Sequence, residues 1–112
     1  MEASKKNVPI ILSTGMSYFK EILEAVNISK KYQNKIIILK CTSIYPAPAE
    51  TLNLKGISTL KKRFNIPIGY SDHCLGIDSA VNAVALGATI IEKHFTLNQS
   101  LKGAEHKTVS YT

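Results

Sequence analysis

Two histidines and three serines stand out in this sequence as groups able to do chemistry. His73 lies in Gly69-Tyr70-Ser71-Asp72-His73-Cys74-Leu75-Gly76, where a hydroxyl, a carboxylate and an imidazole fall within three residues. His94 follows 21 residues later, in Ile90-Ile91-Glu92-Lys93-His94-Phe95. Imidazole suits divalent transition metals, and two such ligands leave coordination positions open for water and substrate. Ser13, Ser43 and Ser71 offer hydroxyls of the kind that hold a phosphate or a carboxylate. Whether these groups meet depends on the elements that carry them.

Those elements follow a regular rhythm. Pro9-Ile10-Ile11-Leu12-Ser13 is a short apolar run stopped by Thr14-Gly15, as in a buried strand. Ser17 is placed to cap a helix over residues 18–31, with Phe19, Ile22, Leu23 and Val26 on one face. Residues 35–41 form the clearest strand, continuously apolar as a parallel strand covered on both faces should be. A loop with Pro46 and Pro48 leads to Asn53, expected to cap a helix bearing Leu54, Ile57, Leu60 and Phe64. Residues 66–70 make a third strand, with Pro67 near its start because proline cannot donate to a ladder. Asp78 is expected to cap a helix of small residues, 80–86, that ends at Gly87. Residues 88–92 make the fourth strand, and a polar loop or tail covers 97–112.

The order is therefore βαβαβαβ, which means right-handed crossovers and a parallel sheet. An open doubly wound sheet and part of a (β/α)8 barrel both fit. In either, ligands bind at the carboxyl ends of the strands. Four separate segments place polar residues there: Ser13-Thr14-Gly15, Cys41-Thr42-Ser43-Ile44-Tyr45, Ser71-Asp72-His73 and Lys93-His94. Consecutive strands lie about 4.8 Å apart, so His73 and His94 can converge on one ion. The alternative is that each is a hydrogen-bonded rim residue. The serines likewise serve either an anion or local turns. Tyr45 either offers its hydroxyl to a ligand or packs under its loop. Asp72 either orients His73 or caps the next turn. Alternation puts Glu92 and Lys93 on opposite faces, so at most one shares the side of His94.

Composition narrows the classes. The chain has 112 residues, enough for one compact domain, and is 45% hydrophobic, enough for a core. No run of 18 apolar residues suits a membrane span. The first seven residues lack the apolar stretch of a signal peptide, so a cytoplasmic location is expected. The net charge of +6 comes from scattered lysines and one arginine, Arg63. Nucleic-acid surfaces lean on arginine with interleaved aromatics, so no nucleic-acid partner is expected. Cys41 and Cys74 lack a paired spacing and are expected as free thiols. Neither a Walker loop nor a dinucleotide fingerprint is present.

With these residues in view, the chain resembles the sialic acid (N-acetylneuraminate) synthases. The motifs that carry the likeness are Ile11-Leu12-Ser13-Thr14-Gly15-Met16, Lys40-Cys41-Thr42-Ser43-Ile44-Tyr45-Pro46-Ala47-Pro48, Gly69-Tyr70-Ser71-Asp72-His73 and Ile91-Glu92-Lys93-His94-Phe95-Thr96-Leu97. The resemblance implies a TIM barrel, with this chain as about its last four strands. It implies an enzyme that condenses phosphoenolpyruvate with N-acetylmannosamine or a related N-acyl sugar, with water adding at the enol's second carbon and phosphate leaving by C–O cleavage. By the same carry-over, His73 and His94 hold a divalent ion, usually manganese. Ser13, Ser43 and Ser71 hold phosphoenolpyruvate, Tyr45 lines the site, and Glu105 contacts the sugar.

Two departures accompany the likeness. Glu105 stands where the family has aspartate, reaching about one methylene further. A TIM barrel takes about 250 residues, so this chain is expected to be inactive alone. It would need a complementary half or a second copy to close the barrel. Two competing readings remain open: a non-catalytic half-barrel or binding module, and a different TIM-barrel aldolase or lyase with Lys40 or Lys93 as a Schiff-base residue.

Overall fold

A computed structural model describes residues 2–32 and 34–109. Strands and helices alternate along it as β1 (Ile10–Ser13), α1 (Phe19–Lys31), β2 (Ile36–Lys40), α2 (Lys55–Phe64), β3 (Ile68–Asp72), α3 (Asp78–Ala85), β4 (Ile90–Lys93) and α4 (Ala104–Lys107). Single 3-10 turns occupy Ala3–Lys6 and Ala49–Thr51. The four strands form one sheet in the order β1-β2-β3-β4, and every pairing is parallel.

That order decides between the two folds. Each strand lies beside its predecessor, with no reversal of the kind that marks a doubly wound sheet. Right-handed crossovers that always step in one direction put every helix on one face. The core confirms it. Ile22 and Val26 of α1, Ile57, Leu60 and Phe64 of α2 and Ala83 of α3 pack together on Ile36, Ile38, Ile68 and Tyr70. The opposite face, which we call the inner face, carries Ile11, Ile37, Leu39, Gly69 and Ile90 by strand alternation and register. This is an arc of a (β/α)8 barrel, with one wall covered and the other open.

Close packing across the inner face depends on Gly69. A Cβ there would lie 2.5 Å from Leu39 Cδ2 and 2.8 Å from the Ile90 carbonyl oxygen. Glycine therefore lets Leu39 fold over β3 and become buried. The exit from α3 is equally specific. Gly87 adopts φ +102°, its N–H donates to the Val84 carbonyl, and the Ala88 N–H donates to that of Ala83. This is the Schellman arrangement expected of a glycine just past a helix end.

Local expectations need correction. Ile11 is 56% exposed and Ser13 is also exposed, so β1 is not buried as its apolar run suggests. Apolar content shows that a strand can be covered, and here the inner face of β1 has nothing opposite it. β3 begins after Pro67 and extends through Asp72, so Ser71 and Asp72 are strand residues and not loop residues. β4 likewise runs through Lys93. The cap of α1 is Tyr18, whose N–H donates to Glu21 Oε2 at 2.7 Å, with Ser17 lying outside. Asn53 does not cap α2 through its side chain. It takes a left-handed φ of 43°, and Leu54 holds the cap position. Asp78 is the first residue of α3, not its cap. The polar tail contains a helical turn, α4, and its residues 110–112 lie outside the described part.

Candidate functional site

Register brings the chemistry together. Ser71 pairs with Glu92 across β3 and β4, and Asp72 pairs with Lys93. Alternation then aims Ser71 and Glu92 at the inner face and Asp72 and Lys93 at the helix layer. One residue beyond each strand, His73 and His94 return to the inner side. Their ring centroids are 5.4 Å apart. Ser71 Oγ donates to Glu92 Oε1 at 2.6 Å and lies 3.1 Å from His73 Nε2. The result is two imidazoles, a hydroxyl and a carboxylate on one rim.

The loop after β2 fixes His73. Its Nδ1 is 2.7 Å from the Thr42 carbonyl oxygen, and the Ala47 N–H donates to the His73 carbonyl at 2.9 Å. A carbonyl only accepts, so Nδ1 carries a proton, and Nε2 faces Ser71 and the site. Between these two anchors the loop delivers Tyr45. Its ring centroid lies 4.2 Å from that of His73 and 5.5 Å from that of His94. Tyr45 therefore packs against both imidazoles.

Asp72 makes no hydrogen bond to the His73 ring. It is fully buried behind the sheet, where Oδ1 accepts from the Cys74 N–H at 2.9 Å and from Ser79 Oγ at 2.7 Å. Lys93 Nζ donates to Asp72 Oδ2 at 2.8 Å and to the Cys74 carbonyl at 2.9 Å. Burial pushes the Asp72 carboxyl upward, but the Lys93 ammonium and the other donors outweigh it and hold it below the usual range. Lys40 also faces the helices. Its methylenes lie against Gly56 and its Nζ donates to the Cys41 carbonyl, and burial lowers its pKa. Both lysines of the Schiff-base reading thus point away from the site, which removes its structural support.

A cavity of about 360 Å³ opens over this rim, lined by Ser13, Ser43, Tyr45, Ser71, His73 and His94 together with Gly15, Met16, Ser17, Cys41 and Glu92. Six of the seven sequence-derived site residues are therefore in one place. The seventh, Glu105, is exposed on α4 and is not part of this lining. Nearby, His106 Nδ1 is 2.7 Å from Thr96 Oγ1. A larger groove of about 640 Å³, between the Pro46–Leu52 stretch and α3, is mainly apolar and holds no histidine. Both cysteines are free thiols. Cys41 is buried in the site wall, and burial raises its pKa, whereas Cys74 packs with Ala47 and Leu52 outside it.

Sequence reasoning allowed one of Glu92 and Lys93 beside His94 without saying which, and gave Gly15 no role. Glu92 is two residues before His94, so strand period alone places them on one face. Gly15 has a different reason to be there. A Cβ on it would collide with Ser43 Oγ and come within 3.0 Å of Cys41 Sγ. That signal exists only in three dimensions.

Residues 1–111 match the NeuB family. The chain belongs to the NeuB family. It is 53% identical over 106 residues to an uncharacterized protein of Methanocaldococcus jannaschii, covering 94% of this chain and 32% of that protein. It is 50% identical over 108 residues to the N,N'-diacetyllegionaminic acid synthase of Campylobacter jejuni, covering 93% and 32% respectively. The crystal structure of the N-acetylneuraminic acid synthetase of Leptospira borgpetersenii superposes with a TM-score of 0.91 at 42% identity, over 96% of this chain and 38% of that one. The resemblance to sialic acid synthases and the partial-barrel fold both hold. The NeuB-family chain spans about a third of the length of the curated relatives it matches.

The donor set fits a divalent cation. Ser71 has one hydroxyl hydrogen, and Glu92 receives it. His73, His94 and Glu92 line the same cavity, and imidazole and carboxylate are groups that divalent metals accept. Among the described residues no cluster of three ligating side chains is preassembled. Two imidazoles would leave coordination positions open, whereas a structural ion takes a closed set of protein ligands.

Proposed function

We propose that this NeuB-family chain supplies the metal- and phosphoenolpyruvate-binding wall of a sialic acid synthase-type active site. The observation that carries the proposal is the convergence of His73, His94, Ser71 and Glu92 on the open inner face. His73 and His94 would hold the ion, manganese being the family expectation. When bound it would polarise the aldehyde of an N-acyl amino sugar towards the enol carbon of phosphoenolpyruvate.

The chain's own residues would do the rest. Thr42 keeps His73 in the tautomer that offers Nε2. Tyr45, against both rings, limits water and bounds the sugar. Ser13, Ser43 and Ser71 ring the cavity at positions suited to a phosphate or carboxylate. An incoming anion competes with Glu92 for the Ser71 hydrogen, and Glu92 then faces the site as a free acceptor. One carbon–carbon bond forms between the enol and the aldehyde, water adds at the enol's second carbon, and phosphate leaves with its bridging oxygen's bond to carbon broken.

The remaining barrel wall, in whichever chain it is carried, would face this one and complete the substrate cavity. A second copy of the chain is the other way to cover the face. Phosphoenolpyruvate binding tests the assignment by isothermal titration with manganese present. Ser71→Ala is expected to weaken binding about tenfold, the loss of one charge-assisted hydrogen bond. Unchanged affinity in Ser71→Ala and Ser13→Ala together would overturn the anion site.

A further inference from the structure

The buried pair behind the sheet has a bearing on the site in front of it. Asp72 and Lys93 form the last rung of the β3–β4 ladder, and each immediately precedes a site histidine. Lys93 Nζ reaches Asp72 Oδ2 at 2.8 Å and the Cys74 carbonyl at 2.9 Å. It thereby holds the residues on both sides of His73. His94 is its own neighbour in the chain, so one ammonium links the backbones that carry both imidazoles.

His94 has little else to hold it. Among the described residues its ring makes no hydrogen bond, only contacts with the rings of Tyr45 and His73. His73, by contrast, is anchored at Nδ1 and at its carbonyl. The spacing between the rings therefore depends on how firmly the end of β4 is tied to the end of β3. Asp72 is fully buried, while the Lys93 side chain is 17% exposed. Removing one partner of such a pair leaves an uncompensated buried charge, so the last rung would open rather than relax in place.

We infer that Lys93 and Asp72 are positioning residues, a clamp on the helix side of the sheet that sets the separation of His73 and His94. The inference rests on the proposed metal role of those histidines only for its consequence. The clamp itself is a statement about geometry. Substituting Lys93 should spread the two rings while leaving the core of α1, α2 and Ile38 in place.

The test uses the whole chain and two readouts. The first needs no metal: a ring-proton nuclear Overhauser cross-peak between His73 and His94, within range at a 5.4 Å centroid separation. It should be present in wild type and in Lys93→Arg and absent in Lys93→Met. The second is affinity for Mn²⁺ alone, expected to fall about tenfold or more in Lys93→Met, as when a group behind a metal ligand is lost, and to recover in Lys93→Arg. Far-UV circular dichroism checks folding. If Lys93→Met unfolds, Ser79→Ala, which removes one bond to Asp72, takes its place with a weakened cross-peak expected. A wild-type cross-peak in the folded substituted chain overturns the clamp. Absence of Mn²⁺ binding by wild type overturns the metal reading and leaves the cross-peak to judge the clamp.

Discussion

Gly15 shows how narrowly single atoms set this site. Its missing Cβ is the space that Ser43 Oγ occupies, with Cys41 Sγ behind. Gly15→Ala should push the exposed Ser43 aside and leave the core untouched. Phosphoenolpyruvate affinity should then fall about tenfold, with a melting temperature close to wild type. A large loss of stability with unaltered affinity would show that Gly15 serves the fold instead. At this scale the sequence was partly legible. His73 and His94 each stand one residue beyond a strand, and strand order made them neighbours. Alternation admitted either Glu92 or Lys93 beside His94, and the period of two with His94 points to Glu92, which the register of β3 and β4 bears out. The burial of Asp72 and the role of Gly15 depend on side chains from other segments, which no local pattern records.

Among the elements, β3 carries the most. All five of its residues are buried, it lies between β2 and β4, and it ends in the site. The narrow point is Gly69, where Leu39 and the Ile90 backbone close in. A side chain can yield, but the Ile90 carbonyl belongs to the neighbouring strand. Gly69→Ala should therefore separate β3 from β4 at a cost of about 1–3 kcal/mol, measured by urea unfolding. Ile38, fully buried beneath the helices, gives a comparison remote from the site. Ile38→Ala should cost about 2–5 kcal/mol through a core cavity. The two should differ at the site, because only Gly69→Ala should also weaken the His73–His94 cross-peak. Element types were legible because continuous apolar runs alternate with helical spacing. Caps were not, because Ser17, Asn53 and Asp78 each have the right chemistry one position from where backbone geometry needs it.

The whole molecule is a barrel arc with unequal walls. Helices cover the outer face, while Ile11 on the inner face and Phe95 and Leu97 beyond β4 remain exposed. An open parallel edge and exposed apolar side chains favour association. The chain alone should thus release no phosphate from phosphoenolpyruvate and sugar, and should do so when the facing barrel half is supplied. Coupled phosphate release measures this, and brisk turnover by the chain alone would contradict it. The βαβαβαβ order made the parallel sheet legible, and the family resemblance singled out the barrel arc. The one-sided coverage followed from the half-barrel resemblance and not from the strands themselves, because an apolar strand reads the same whether its second face meets a wall or lacks one.

The proposed function turns on His73 and His94 sharing one divalent cation. Titration of Mn²⁺ followed by electron paramagnetic resonance of the free ion tests it most directly. One ion should bind per chain, and binding should be lost in His73→Ala and equally in His94→Ala. Wild-type affinity retained by both substituted chains would contradict the account.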